Sequence, residues 1–271
     1  MKFVSKLAAF GATAALATTG LVAAGTAADA ATVPVNYNCD LSAFAPLLPP
    51  GTPTSQQITA AYDVPALTSL VAGAPVASKK LTARITIPAV VSGLVHLGFE
   101  DKVSGTVSGN VTFGPQHIAA SLTIPEQKIS NPAGPNTVNA SGSLAGFTPT
   151  RAGANAVSLP STVTAVLGGQ DITCAAAAGS PLALGTASVA SPALSVKAPK
   201  SAKLHKAVKI KVTTNQTGKV IAKIKGKKVA KAKVKAGHAT LKVKKGLTKG
   251  KNKIVVSLGS LHKTVKVKVK K

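Results

Sequence analysis

From Val208 to the C-terminus, apolar and polar residues alternate almost one for one. Val208, Ile210 and Val212 alternate with Lys209 and Lys211; Ala230, Ala232 and Val234 with Lys231, Lys233 and Lys235; Ala239, Leu241 and Val243 with Thr240, Lys242 and Lys244; and Val265, Val267 and Val269 with Lys266, Lys268 and Lys270. Ile254, Val256 and Leu258 make one face of a further run. On a helix, residues two apart point about 200° away from each other, so this order would leave no apolar face; on strands it makes one buried face and one cationic face. Turn residues fall between the runs, at Asn215 to Gly218, Gly226, Ala236 to Gly237, Gly246, Gly250 to Asn252 and Gly259. The segment is therefore expected to fold as about six or seven short strands in a small sandwich, although KKVAKAKVKAG alone would suit a disordered basic tail.

The preceding region carries the same period more loosely. Short apolar and β-branched runs, LTARITIP (81–88), KVSGTVSGNVTF (102–113), HIAASLTIP (117–125), TVNASGSLAGF (137–147) and STVTAVL (161–167), are separated by Gly, Pro, Asn and Ser. Such spacing predicts an antiparallel, sandwich-like β-domain. In AVVSGLVHLGF (89–99) a short helix competes with a strand.

Charge divides the chain at the point where this patterning tightens. The 271 residues hold 33 Lys+Arg against 7 Asp+Glu, a formal net charge of +26. Between Ala31 and Val196 the bases Lys79, Lys80, Arg84, Lys102, Lys128 and Arg151 balance the acids Asp40, Asp63, Glu100, Asp101, Glu126 and Asp171. Between Lys197 and Lys271 there are 25 Lys and no Arg, Asp or Glu. A shift this abrupt marks a boundary. The expected division is a neutral β-domain at 31–178, an uncharged Ala/Ser/Gly/Pro stretch at 179–193, and a lysine-rich immunoglobulin-like domain at 194–271. The uncharged stretch reads as a linker, or as the last strand of one domain running into the next.

Residues 1–30 have the order of a secretory signal peptide: the basic start MKFVSK, an Ala/Leu-rich apolar stretch, and Ala28 and Ala30 at a small-residue exit. Gly and Thr interrupt the apolar stretch, which argues against a membrane anchor. An exported chain with two cysteines is expected to join them, and Cys39 and Cys174 stand near the two ends of the neutral region. Neither has His or a second Cys at metal-ligand spacing, so a metal or catalytic thiol is the weaker reading. No metal or cofactor is expected.

The order VNYNC, LTARITIPAVVSGL, SGTVSGNVTF, LTIPEQKI, SGSLAGFTPTRAGANAVSLPSTVTAVL and ITC, over about residues 35 to 175, resembles an uncharacterised secreted β-domain family of Gram-positive actinobacteria. The resemblance implies an exported β-domain with a terminal disulfide and carries no activity with it. The C-terminal segment, with an A-P-K step, then V-K-I-K-V, G-K-V-x-x-K-I-K-G-K-K-V and a G-x-A-x-L-x-V run, resembles bacterial immunoglobulin-like repeats; their usual acidic and aromatic residues are missing here.

Function classes narrow from what the residues offer. The five His are scattered, and His205, His238 and His262 lie in a segment without a carboxylate to orient them. Glu100 and Asp101 are adjacent and on a strand would face opposite ways; Glu126 or Asp171 would have to supply a distant partner for a hydrolase. A non-enzymatic protein is expected. The lysines suit diffuse attraction to anionic cell-envelope polymers, with non-specific nucleic-acid binding in vitro, because Lys acts as a hydrated point charge where Arg would supply a planar fork. The segment has no aromatic residue on which a base could stack. Lys209, Lys211, Lys231, Lys233, Lys235, Lys242, Lys244, Lys266, Lys268 and Lys270 are the candidate contacts. The competing readings are a solubilising, edge-protecting coat on a structural spacer, and an unrecognised secreted hydrolase.

Overall fold

Alternate residues along the strands of the neutral region are buried in one shared interior, and the sheet that encloses it closes on itself. The computed structural model describes residues 31–271, so the expected signal peptide lies outside the described residues. The elements are β1 (Ala31–Asp40), a 3-10 helix (Ser42–Leu47), β2 (Ser55–Val64), β3 (Leu70–Val71), β4 (Lys79–Ile87), α1 (Ala89–Phe99), β5 (Lys102–Phe113), β6 (Gln116–Lys128), β7 (Asn136–Leu144), β8 (Gly153–Ser158), β9 (Thr162–Leu167), β10 (Gln170–Ala176) and β11 (Ala183–Ala190). From β5 the antiparallel ladder runs through β6, β7, β4, β2, β1, β10 and β9, and β9 pairs with β5 again, Gly105 opposite Leu167 through Gly109 opposite Val163. The predicted all-β, antiparallel fold is present, and the two layers expected of a sandwich are joined at both sides into an eight-stranded barrel. Closure leaves no free edge within the ring.

The seam depends on a missing side chain. A β-bulge lies between Val103 and Gly105, and a Cβ on Gly105 would collide with the backbone carbonyl of Val166 across the β5–β9 pairing. Glycine admits this close backbone approach. Gly105→Ala is expected to destabilise the barrel by about 1–3 kcal/mol, the usual cost of overpacking. Urea denaturation checks this, and an unchanged midpoint would show that the seam gives way without cost.

Where helix and strand compete in the sequence, the structure forms α1. Val91, Leu94 and Val95 are buried at helical spacing with Ser92, and Pro88 supplies the extended residue before the first turn. The helix ends on two left-handed residues, Glu100 (φ 52°) and Asp101 (φ 61°). This corrects the strand expectation for that acidic pair: both residues sit in the turn after α1. There His96 Nδ1 donates to Asp101 Oδ1 at 2.6 Å, and the Ile129 amide donates to the Asp101 carbonyl at 2.8 Å. Asn136 at the start of β7 ties the neighbouring loop to the helix, its Nδ2 donating to Ser92 Oγ at 2.9 Å and its Oδ1 accepting from the Ser130 and Asn131 amides.

The linker expectation for 179–193 is corrected in its middle. Residues 183–190 form β11, which pairs with β8 and buries Ala187 and Val189, while β3 adds to it in parallel. Small residues without charge suit a buried strand as well as a linker, and the pairing decides. Residues 191–193 alone connect to the second body, and they are held: Asn215 Nδ2 donates to the Ser191 carbonyl, the Ala193 amide to Asn215 Oδ1, and Thr214 Oγ1 to the Ala193 carbonyl.

The lysine-rich segment forms β12 (Leu194–Lys197), β13 (Ser201–Lys203), β14 (Val208–Thr214), β15 (Lys219–Ile224), β16 (Lys227–Lys233), β17 (His238–Val243), β18 (Gly250–Leu258) and β19 (Leu261–Lys270). A three-stranded sheet, β12-β14-β17, faces a five-stranded one, β13-β19-β18-β15-β16, across a core of Val, Ile, Leu and Ala. Val208, Ile210, Val212, Leu241, Val243, Ile254, Val256 and Val267 are fully or nearly fully buried, each worth about 1.5–3 kcal/mol of apolar transfer. Gly250 to Asn252, expected as a turn, instead opens β18. The buried Asn252 side chain supplies the turn bonds from within the strand, bonding the backbone of Thr248 and Gly250.

Candidate functional site

Alternation along each strand of the sandwich turns its lysines outward, and all 25 are exposed. They do not share one face. Lys209, Lys211 and Lys242 lie on the outer side of the three-stranded sheet, with Lys244 just past β17; Lys231, Lys233, Lys266, Lys268 and Lys270 lie on the five-stranded sheet; Lys235 sits in the β16–β17 turn, bridged to His238. A one-sided cationic surface is thus replaced by two, because a sandwich exposes the outer side of both its sheets.

Register then places like charges directly opposite. Lys197 faces Lys211, Lys209 faces Lys242, Lys203 faces Lys270, Lys251 faces Lys268, Lys253 faces Lys266, Lys219 faces Lys233 and Lys223 faces Lys228. Lys203, Lys270, Lys268, Lys251, Lys266 and Lys253 form a continuous block on β13, β19 and β18. Lys203, Lys251 and Lys253 belong to this block and are not among the candidate contacts. The signal for Lys251 and Lys253 is the K-N-K step leading into Ile254, which carries the strand period two residues further back. Where β12, β13 and β14 come together, an open groove of about 520 Å³ is lined by Lys197, Lys203, Lys206, Lys209 and Lys211.

Directly opposed like charges are destabilising by a few tenths to about 1 kcal/mol per pair. The segment holds no Asp or Glu to offset them. Lys253→Glu, which places a carboxylate opposite Lys266, is expected to raise the stability of the sandwich by about 0.5–1 kcal/mol at low salt, with the gain shrinking toward 0.5 M NaCl. Thermal melting at the two salt concentrations measures it; equal melting of variant and parent would mean the pairs do not repel.

The acids and histidines of the neutral region assemble differently. Glu126 Oε1 pairs with Lys102 Nζ at 3.2 Å on the exposed barrel wall, and His96 is held by Asp101. Among the described residues, no group of three or more His, Cys, Asp or Glu comes together.

Cys39 and Cys174 are disulfide-bonded, as expected, in register between β1 and β10. Both residues line a cavity of about 80 Å³ inside the barrel. All eight barrel strands contribute to its lining, and Val91 and Val95 of α1 cover it at one end. Leu159 and Pro160 close the barrel toward the other end. Two tyrosines stand in the interior, edge to face at 6.5 Å between ring centroids. The Tyr37 hydroxyl donates to the Pro160 carbonyl at 2.9 Å. Burial pushes both phenols above their ordinary range, and Tyr37 beside it pushes Tyr62 further. At about 24 cal/mol per Å³, a cavity of this volume left empty costs the barrel about 2 kcal/mol.

No curated protein matches the chain. Among solved structures, a putative membrane-anchored protein from Corynebacterium diphtheriae is similar at 14% identity and TM-score 0.41, over 89% of this chain and 59% of that one. The complex of RgpB pro- and mature domains from Porphyromonas gingivalis is similar at 22% identity and TM-score 0.23, over 28% of this chain and 19% of that one. The chain thus spans less than two thirds of either structure. Residues 36–205, from β1 through the barrel and β11 to the first strands of the sandwich, match the model of a family of unknown function, DUF6801, and the chain belongs to that family.

Proposed function

We propose that this is an exported, non-enzymatic protein of the cell envelope, retained there by its lysine-covered sandwich on anionic surface polymers. The supporting observation is the register of the lysines: seven opposed Lys–Lys pairs on two sheets, in a segment without one acidic side chain. A surface that repels itself and has no internal countercharge takes its counterions from outside, and a polymer carrying many anions displaces them with a gain in entropy. Lys in place of Arg, and the lack of aromatics, suit attraction that tracks charge density and reads neither base sequence nor phosphate geometry. The disulfide suits an oxidising compartment, in keeping with the signal-peptide pattern of residues 1–30. Among the described residues no helix is long and apolar enough to cross a membrane.

The clasp of Asn215 on residues 191–193 favours a second reading, a spacer that holds the barrel at a fixed distance. One experiment separates the two. The intact chain is titrated with inorganic polyphosphate at 50 and 200 mM NaCl, beside a variant in which Lys251, Lys253, Lys266 and Lys268 are replaced by Gln. Tight, salt-sensitive binding that weakens in the variant supports retention; no binding at 50 mM leaves the spacer.

A further inference from the structure

We propose that the barrel interior is a binding site for an aliphatic chain, entered at the end covered by α1. Polar groups of the lining are few: the side-chain hydroxyls are those of Tyr37 and Tyr62, and that of Tyr37 is spent on the Pro160 carbonyl. One water needs about 10–15 Å³ of such space, so the cavity has room for roughly five to eight water-sized groups, yet it offers too little hydrogen bonding to hold them. Methylenes are of similar size and need no hydrogen bond. The interior therefore suits about six carbons of a straight chain, with any polar head left outside.

The cover is built for apolar company on both of its sides. Apart from His96, which Asp101 holds, the residues of α1 are apolar or small, and a helix that is apolar all round is normally buried on all sides. Helix α1 buries Val91, Leu94 and Val95 against the barrel and leaves Leu97 70% exposed. Leu47 of the 3-10 helix, 44% exposed, leans on Gly98 beside it, the nearest atom to a Cβ built there at 3.3 Å. Of the three exposed large hydrophobic residues among the described ones, these two lie together at the covered end. Beneath them Phe44 and Phe99 meet edge to face at 6.1 Å, and Phe99 lies over Gly168 of the β9–β10 turn. An apolar interior, a lid of apolar side chains with no barrel strand across that end, and an apolar patch on top of the lid form a continuous path for a chain arriving from an apolar phase.

The test uses the intact, disulfide-bonded protein in 0.5 M NaCl and uncharged probes, the straight-chain alcohols from 1-butanol to 1-octanol, so that the lysines contribute nothing. Calorimetry is expected to show saturable binding of one alcohol per chain, with affinity rising about fourfold for each added methylene up to 1-hexanol and levelling off beyond it. Val138→Phe, which fills the cavity from β7, is expected to weaken octanol binding at least tenfold. If that variant does not melt as a folded protein, Ala60→Val, a smaller filling from β2, is expected to weaken it severalfold. Absence of saturable binding, affinity independent of chain length, or undiminished binding by a folded cavity-filled variant overturns the proposal. Solvent extraction after incubation with laurate, or with dimyristoyl phosphatidylglycerol vesicles, then identifies the source. Recovered laurate supports a free fatty acid and recovered phospholipid supports a bilayer lipid; recovery of neither overturns the proposal. Failure of polyphosphate to bind would leave this site untouched.

Discussion

Binding of the intact chain to polyphosphate is expected to weaken by a few hundredfold between 50 and 200 mM NaCl if about six phosphates are covered, taking the slope of about −0.7 per phosphate found for flexible single-stranded polyanions. The number of phosphates follows from the six-lysine block on β13, β19 and β18. At about 0.1 M salt the screening length is about 10 Å, so lysines on neighbouring strands act together while the opposite sheet contributes little. Replacing Lys251, Lys253, Lys266 and Lys268 by Gln removes four of the six charges and is expected to flatten the slope by about three. A slope near zero for the parent chain would mean that the lysines do not act as an array. DNA of different sequences is expected to bind alike at equal length, since the sandwich has neither Arg nor Phe, Tyr or Trp with which to read a base.

Replacing both Cys39 and Cys174 by Ala is expected to destabilise the barrel by about 2–5 kcal/mol and to leave the sandwich unaffected. The bond joins β1 to β10 across 135 residues, nearly the whole of the barrel chain. In the chain-entropy model a loop of that length is worth about 5 kcal/mol, and losses to strain or to residual structure in the unfolded chain bring the usual measured value lower. The two cysteines are 1% and 4% exposed, so their replacement also trims the wall of the cavity and adds to the cost. Urea denaturation followed by near-ultraviolet absorption of Tyr37 and Tyr62, both inside the barrel, reads its transition alone, because the sandwich has no aromatic residue. A double variant that unfolds at the same urea concentration as the parent would show that strand pairing holds β1 to β10 unaided.

Much of this architecture was legible in the alternation of side chains. Val208, Ile210 and Val212 set between lysines define an inward and an outward side before any neighbour is known, because the strand period alone fixes it. Partnership is another matter. Closure of the barrel rests on β5 meeting β9, and neither KVSGTVSGNVTF nor STVTAVL differs in pattern from strands at an open edge. The signal present was Gly105, whose missing side chain admits a neighbouring carbonyl, but a lone glycine in a strand has several meanings. The segment ALGTASVA reads as linker or as a last strand, because small uncharged residues serve equally in a loop or against a tightly packed neighbour; its pairing with β8 resolves the ambiguity. For the cationic surface, the outward lysines were evident, whereas their division between two sheets and their opposition in pairs depend on register. The cavity had the faintest trace of all. Its lining comes from every strand of the ring, two residues or so from each, so no single stretch of sequence announces it.

Strand β13, the second of the sandwich, lies parallel to the last, β19, with the Leu204 amide bonded to the Lys270 carbonyl and the Lys268 amide to the Lys200 carbonyl. Tension between the barrel on one side and a tether on the C-terminal strand on the other would pull these two strands past each other along their length. Their hydrogen bonds then share the load in shear and must give way together, where an antiparallel hairpin pulled at its open end would unzip one bond at a time. That arrangement places mechanical resistance at the second and last strands of the sandwich, behind the antiparallel β12–β14 pair through which the force enters.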